Sequence, residues 1–73
     1  MMIREGTNVR WKWADGHAEG VVKEHHTSRV KRVVDGAEVV RNGSGDDPAL
    51  VIEQADGQTV VKLRSEVERS DKD

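Results

Sequence analysis

The chain has no cysteine, no phenylalanine, no tyrosine and a single proline among its 73 residues. Without cysteine there are no disulfides, no thiolate metal ligands and no thiol nucleophile. Small secreted domains ordinarily rely on such staples, so a reducing, cytoplasmic setting is expected. No stretch approaches the roughly 20 apolar residues of a membrane span. The opening Met-Met-Ile-Arg-Glu has no apolar run behind its charge, so no signal peptide is expected there. No segment keeps a helical apolar period over about ten positions, which argues against a helical fold, and nothing repeats internally. A strong charge of one sign is also missing: 12 Lys/Arg against 14 Asp/Glu leave −2. A dedicated polyanion binder would be far more basic.

Catalytic patterns are equally scarce. Ser44 and Ser65 have no His and carboxylate at a spacing that supports a triad, and no Gly-rich loop enters a helix. A chain this short leaves little room for a concave, water-excluding site. The expectation is a non-enzymatic module with no cofactor.

What is present begins with Asn8 to Lys23, NVRWKWADGHAEGVVK. Val9, Trp11 and Trp13 sit two apart with Arg10 and Lys12 between them, the alternation of a strand. Asp15-Gly16 supplies a turn, and a second β-favouring run follows from Ala18 to His25. This hairpin carries every aromatic residue of the chain. Burying each indole would remove roughly 150–250 Å² from water, so both are expected to be structural. Ala18, Gly20 and Val22 form the inward set of the second strand. A mid-strand Gly20 needs a bulky neighbour to justify it, and a Trp opposite is the candidate.

Thr27 to Val34 reads as a third strand with imperfect alternation, which a bulge near Arg32 would reconcile. Asp35-Gly36 ends it, and Ala37 to Arg41 is either an extension past a kink or a separate strand. Asn42 to Pro48 is a loop. Ala49 to Gln54 is the fourth strand, with Leu50 and Ile52 inward, and Asp56-Gly57 turns into a fifth from Gln58 to Leu63. Ser65 to Glu68 has the look of a capped helical turn. The reading is all-β: a small five-stranded barrel over residues 6–68, a flexible lead-in over 1–5 and a tail over 69–73.

Several groups of residues carry a resemblance. Gly6-x-x-Val9-x-Trp11 followed by Gly16-x-x-x-Gly20-x-Val22 is similar to the opening of SH3-like and Tudor-like barrels. Arg41-Asn42-Gly43-Ser44, Asp47-Pro48-Ala49-Leu50-x-Ile52, Asp56-Gly57 and Val61-Lys62-x-x-Ser65-Glu66-Val67 resemble the hypervirulence-associated Tudor-like domain family. That family comprises small proteins, many bacterial and some fungal, and the resemblance covers about Glu5 to Glu68. It implies a five-stranded SH3-like/Tudor-like barrel and brings no established activity with it. Tudor readers of methyl-lysine or methyl-arginine cage the cation between aromatic faces. The resemblance puts one wall at Trp13, a second near His17 or Ala18, and others near Val33, Val34 and Leu50. One Trp does not make such a cage.

Three functional readings stand side by side. The first is protein or peptide recognition at the open end near Trp13, His17 and the loop residues Asn42 and Asp46. The second is weak nucleic-acid binding along an outward basic stripe of Arg10, Lys12, Lys23, Arg29 and Lys31, if the first three strands are adjacent. The third is an exposed sheet edge that pairs two chains. No metal site is expected. His25 and His26 point to opposite faces of a strand. Asn42, Ser44, Asp46 and Glu53 fit a calcium-loop spacing, but Asp47 replaces its required glycine, so they read as turn chemistry.

Overall fold

A computed structural model of the protein describes residues 3–70; Met1, Met2 and residues 71–73 lie outside the described residues. The first strand, β1 (Asn8–Trp13), pairs antiparallel with β2 (Gly16–His26) through a two-residue turn at Ala14-Asp15. The turn thus falls one residue earlier than the sequence suggests. Gly16 opens the strand, and Ala14 takes the positive φ of 51°.

The next segment forms a hairpin of its own. Among the described residues β3 (Arg29–Val34) pairs only with β4 (Ala37–Asn42), so Ala37 to Arg41 is part of a separate strand. Asp35 and Gly36 both have positive φ, 53° and 77°, the geometry of the tight turn that matches strand twist. β5 (Ala49–Gln54) then returns to pair with β2, and β6 (Thr59–Leu63) pairs with β5. A 3₁₀ turn at Arg64–Glu66 leads into the two-residue β7 (Glu68–Arg69), which pairs with β1. The main sheet is therefore five-stranded in the order β6-β5-β2-β1-β7, with β3–β4 as a second, two-stranded sheet.

The protein is thus a small all-β, Tudor-like domain with one short 3₁₀ turn among the described residues. Its fifth sheet member differs from expectation. The predicted third strand leaves the sheet with its own partner, and β7 takes the remaining place. No bulge occurs near Arg32, because the β3–β4 register is unbroken. The irregularity is in β2, between Val22 and Glu24, within the stretch that pairs with β5.

Two apolar clusters hold these pieces together. Ile3, Val9, Trp11, Val22, Leu50, Ile52 and Val67 form the main core, and Val30, Ala49, Val51 and Val61 form a second beneath the hairpin. Ala49 through Ile52 are all buried because β5 is covered on both faces. The lead-in expected at residues 1–5 is anchored from Ile3 onward, which is buried in the core. The expected tail likewise begins inside the sheet: Arg69 pairs with Val9, and the Ser70 N–H donates to the Asn8 carbonyl.

Gly20 is required, though not by an indole. A Cβ there would lie 2.5 Å from Ile52 Cγ2 and 2.7 Å from the Glu53 carbonyl oxygen, so the crowding comes from β5. Ser65 does not cap the 3₁₀ turn. Its N–H and hydroxyl both donate to the Asp47 carboxylate (2.8 and 2.7 Å), while Glu66 reaches back to accept from the Leu63 N–H at 2.8 Å.

Candidate functional site

The two indoles have different fates. Trp11 is 5% exposed and Trp13 is 66% exposed, so of the two indoles expected to be structural only Trp11 is enclosed. The register explains why. β5 pairs with β2 only from Gly20 onward, and β7 covers only Val9 and Arg10. The tip of the β1–β2 hairpin outruns the rest of the sheet, and Trp13 is paired only with Gly16.

Trp13 projects into a groove of ≈ 390 Å³ where three hairpin ends converge. Trp13, Trp11 and Ala18 come from the first hairpin. Val34 and Asp35 come from the β3 side of the second turn, and Gln54, Asp56 and Gln58 from the β5–β6 end. Val60 and Lys62 of β6 complete the lining, and the Lys62 ammonium lies 6.0 Å from the Trp11 ring centroid. Chemically this is an apolar, indole-lined trough with two carboxylates and one ammonium at hand. Such a surface suits side chains that stack on an exposed ring and hydrogen-bond at its edges.

The other expected binding residues do not line this groove. His17 pairs opposite Lys12 and lines a separate depression of ≈ 410 Å³ with Arg10, Ser65 and Glu66. Asn42 is the last residue of β4, and Asp46 sits in the loop that follows. That loop is held by its own hydrogen bonds. Ser44 N–H donates to the Asp47 carbonyl, and Asp47 N–H donates to Ser44 Oγ. Glu53, the last ligand of the calcium-loop spacing, is on β5 beside Lys23 at 3.4 Å.

The basic stripe lacks the adjacency it needs. Lys23 and Arg10 belong to the main sheet, but Arg29 and Lys31 are on the separate hairpin. Three of the five carry carboxylate partners: Arg10–Glu68 at 2.7 Å, Lys23–Glu53 at 3.4 Å and Lys31–Glu38 at 3.1 Å. Lys12 and Arg29 have no ion pair among the described residues.

One cluster escaped the sequence reading. Glu24 on β2 accepts from Arg32 of β3 and bonds His26 Nε2 at 2.7 Å, tying the hairpin to the sheet. The His26 bond first, then the Arg32 bond, holds the Glu24 carboxyl below its ordinary range. Arg32 on the apolar face of Val30 and Val34 was the available clue: a buried-side arginine needs an acidic partner.

A family model for the hypervirulence associated proteins TUDOR domain matches residues 6–67. The chain belongs to that family. No curated protein and no solved structure matches it. In this Tudor domain, the wall positions implied by the resemblance are only partly filled. Trp13, Ala18 and Val34 line the groove, whereas His17 lines the other depression, Val33 faces solvent and Leu50 is buried in the core. Trp11 supplies the second indole, and its face is already approached by the domain's own Lys62. As a member of the family, the chain is a small binding-type domain.

Proposed function

We propose that this Tudor domain is a non-enzymatic, cytoplasmic module that recognises a protein or peptide through the Trp13 groove. The observation that carries the reading is the exposed Trp13 beside buried Trp11 at the convergence of three turns. An indole left in water forfeits a large burial term. In a chain with only two aromatic residues, its placement over a groove fits a contact surface. The missing cysteines support a reducing compartment, and the groove needs no cofactor to bind a peptide.

The test is affinity capture from native cell extract with wild-type and Trp13→Ala domains, with and without nuclease. The expected result is a nuclease-resistant partner lost with Trp13→Ala, while the β-sheet circular dichroism is retained. A partner retained by Trp13→Ala, or one released by nuclease, would overturn the reading.

A further inference from the structure

The free edge of β3 leads into the groove. Val34 and Ala37 flank a two-residue turn, so this pair exchanges both ladder hydrogen bonds. The alternation of an antiparallel ladder then assigns the bonded pairs to Val34, Arg32 and Val30. The N–H and C=O groups of Arg29, Lys31 and Val33 therefore point away from β4. Among the described residues, no strand pairs with β3 on that side and no turn or loop backbone bond reaches residues 29–34. The Lys31 carbonyl already accepts from the Arg32 Nη1 of its own strand at 2.8 Å, which leaves the N–H groups of Arg29, Lys31 and Val33 and the carbonyls of Arg29 and Val33 for a partner.

The side chains above this edge set its selectivity. Arg29 has no ion pair among the described residues, Lys31 has one well-solvated carboxylate neighbour, and Val33 is 71% exposed. A second β3 laid alongside would set cation against cation, which disfavours self-pairing. An acidic strand meets the opposite sign. Val34 and Asp35, rather than Gly36 and Ala37, line the groove, so a strand added to β3 continues toward Trp13.

We infer that β3 is a docking edge for an extended acidic segment of a partner protein, which adds as an antiparallel or parallel strand. Its carboxylates lie across from Arg29 and Lys31, and an apolar residue follows over Val33 toward the groove. Main-chain hydrogen bonds supply affinity and alternate side chains supply specificity. The inference deepens the groove reading and rests on it for where the segment ends.

The test titrates the isotope-labelled domain, at low salt, with a short synthetic peptide Glu-Val-Glu-Val-Val, which sets two carboxylates and then an apolar side chain on one face. A Lys-for-Glu peptide and a peptide N-methylated at alternate residues serve as controls. The acidic peptide is expected to shift the amide resonances of Arg29, Lys31 and Val33, with both controls inactive. Lys31→Glu is expected to weaken it about fivefold to tenfold. Val33→Pro removes an outward N–H without touching the β3–β4 ladder and is expected to weaken it about tenfold. No binding, equal binding of the Lys peptide, or indifference to N-methylation would overturn the inference. Loss with Trp13→Ala but not with the β3 variants would overturn it while leaving the groove reading intact. Loss with the β3 variants alone would support the edge and refute the groove.

Discussion

Replacing Gly20 by alanine tests the joint on which the sheet depends. The added Cβ would fall 2.5 Å from Ile52 Cγ2, 2.7 Å from the Glu53 oxygen and 3.2 Å from the Glu53 carbonyl carbon. Two of these three atoms are backbone, and Ile52 is fully buried, so no side chain can swing clear. Relief requires β2 and β5 to separate at the point where Gly20 pairs with Gln54. Overpacking costs ~1–3 kcal/mol, and with contacts of 2.5 and 2.7 Å against a buried side chain and backbone the upper end, ~3 kcal/mol, applies. The stiffer unfolded chain returns ~0.4–1 kcal/mol, which leaves a net loss of about 2 kcal/mol. For a domain of this size the melting temperature falls ~4–8 °C per kcal/mol, so a drop of about 8–16 °C is expected. Thermal unfolding followed by circular dichroism measures it. Gly16→Ala is the control, since it lies on the same strand with nothing within 4 Å of its Cβ position. It is expected to be neutral or slightly stabilising. A Gly20→Ala domain that melts at or above the wild-type temperature would refute the β2–β5 packing.

Two further variants address the core and the hairpin tether. Trp11→Ala removes a buried indole and is expected to cost ~3–5 kcal/mol, a large share of the ~0.05–0.15 kcal/mol per residue available to such a domain; urea unfolding at the wild-type midpoint would contradict it. Glu24→Gln tests the tether by its pH dependence. A carboxyl held below its ordinary range contributes stability above that range and loses it as pH falls through the folded value. Wild type is therefore expected to be more stable than Glu24→Gln near neutrality, by ~0.2–1 kcal/mol for a half-exposed cluster. The two should converge in acid, and a constant difference across pH would remove the assignment.

Local chemistry was legible in the sequence, and partner choice was not. Alternation from Val9 to Trp13 and the brackets Pro48 and Asp56-Gly57 placed β1 and β5 at their observed limits. The departure of β3 from the sheet is a nonlocal outcome. Val51 and Ala49 are covered by the hairpin, so β5 is apolar on both faces, a pattern that by itself does not say what lies above it. Val33 on the wrong face looked like a bulge because its exposure was unforeseen, whereas Arg32 was inward for the sake of Glu24. At the candidate site, periodicity put Trp13 on the face of Trp11. It gave no indication that the covering strands stop short of it. His17 is separated from Trp13 for another reason: with the turn at Ala14-Asp15 it pairs with Lys12, on the opposite face, while Asn42 pairs with Arg29 at the end of the second hairpin away from Val34.

Recognition through the groove requires Trp13 to be solvent-exposed over it while Trp11 is enclosed. Acrylamide quenching of tryptophan fluorescence in the folded wild-type and Trp13→Phe domains measures this directly. The wild type should show one readily quenched and one protected component, and Trp13→Phe should retain only the protected, blue-shifted emission. Equal protection of both indoles in the wild type, or a readily quenched component that survives in Trp13→Phe, would contradict it.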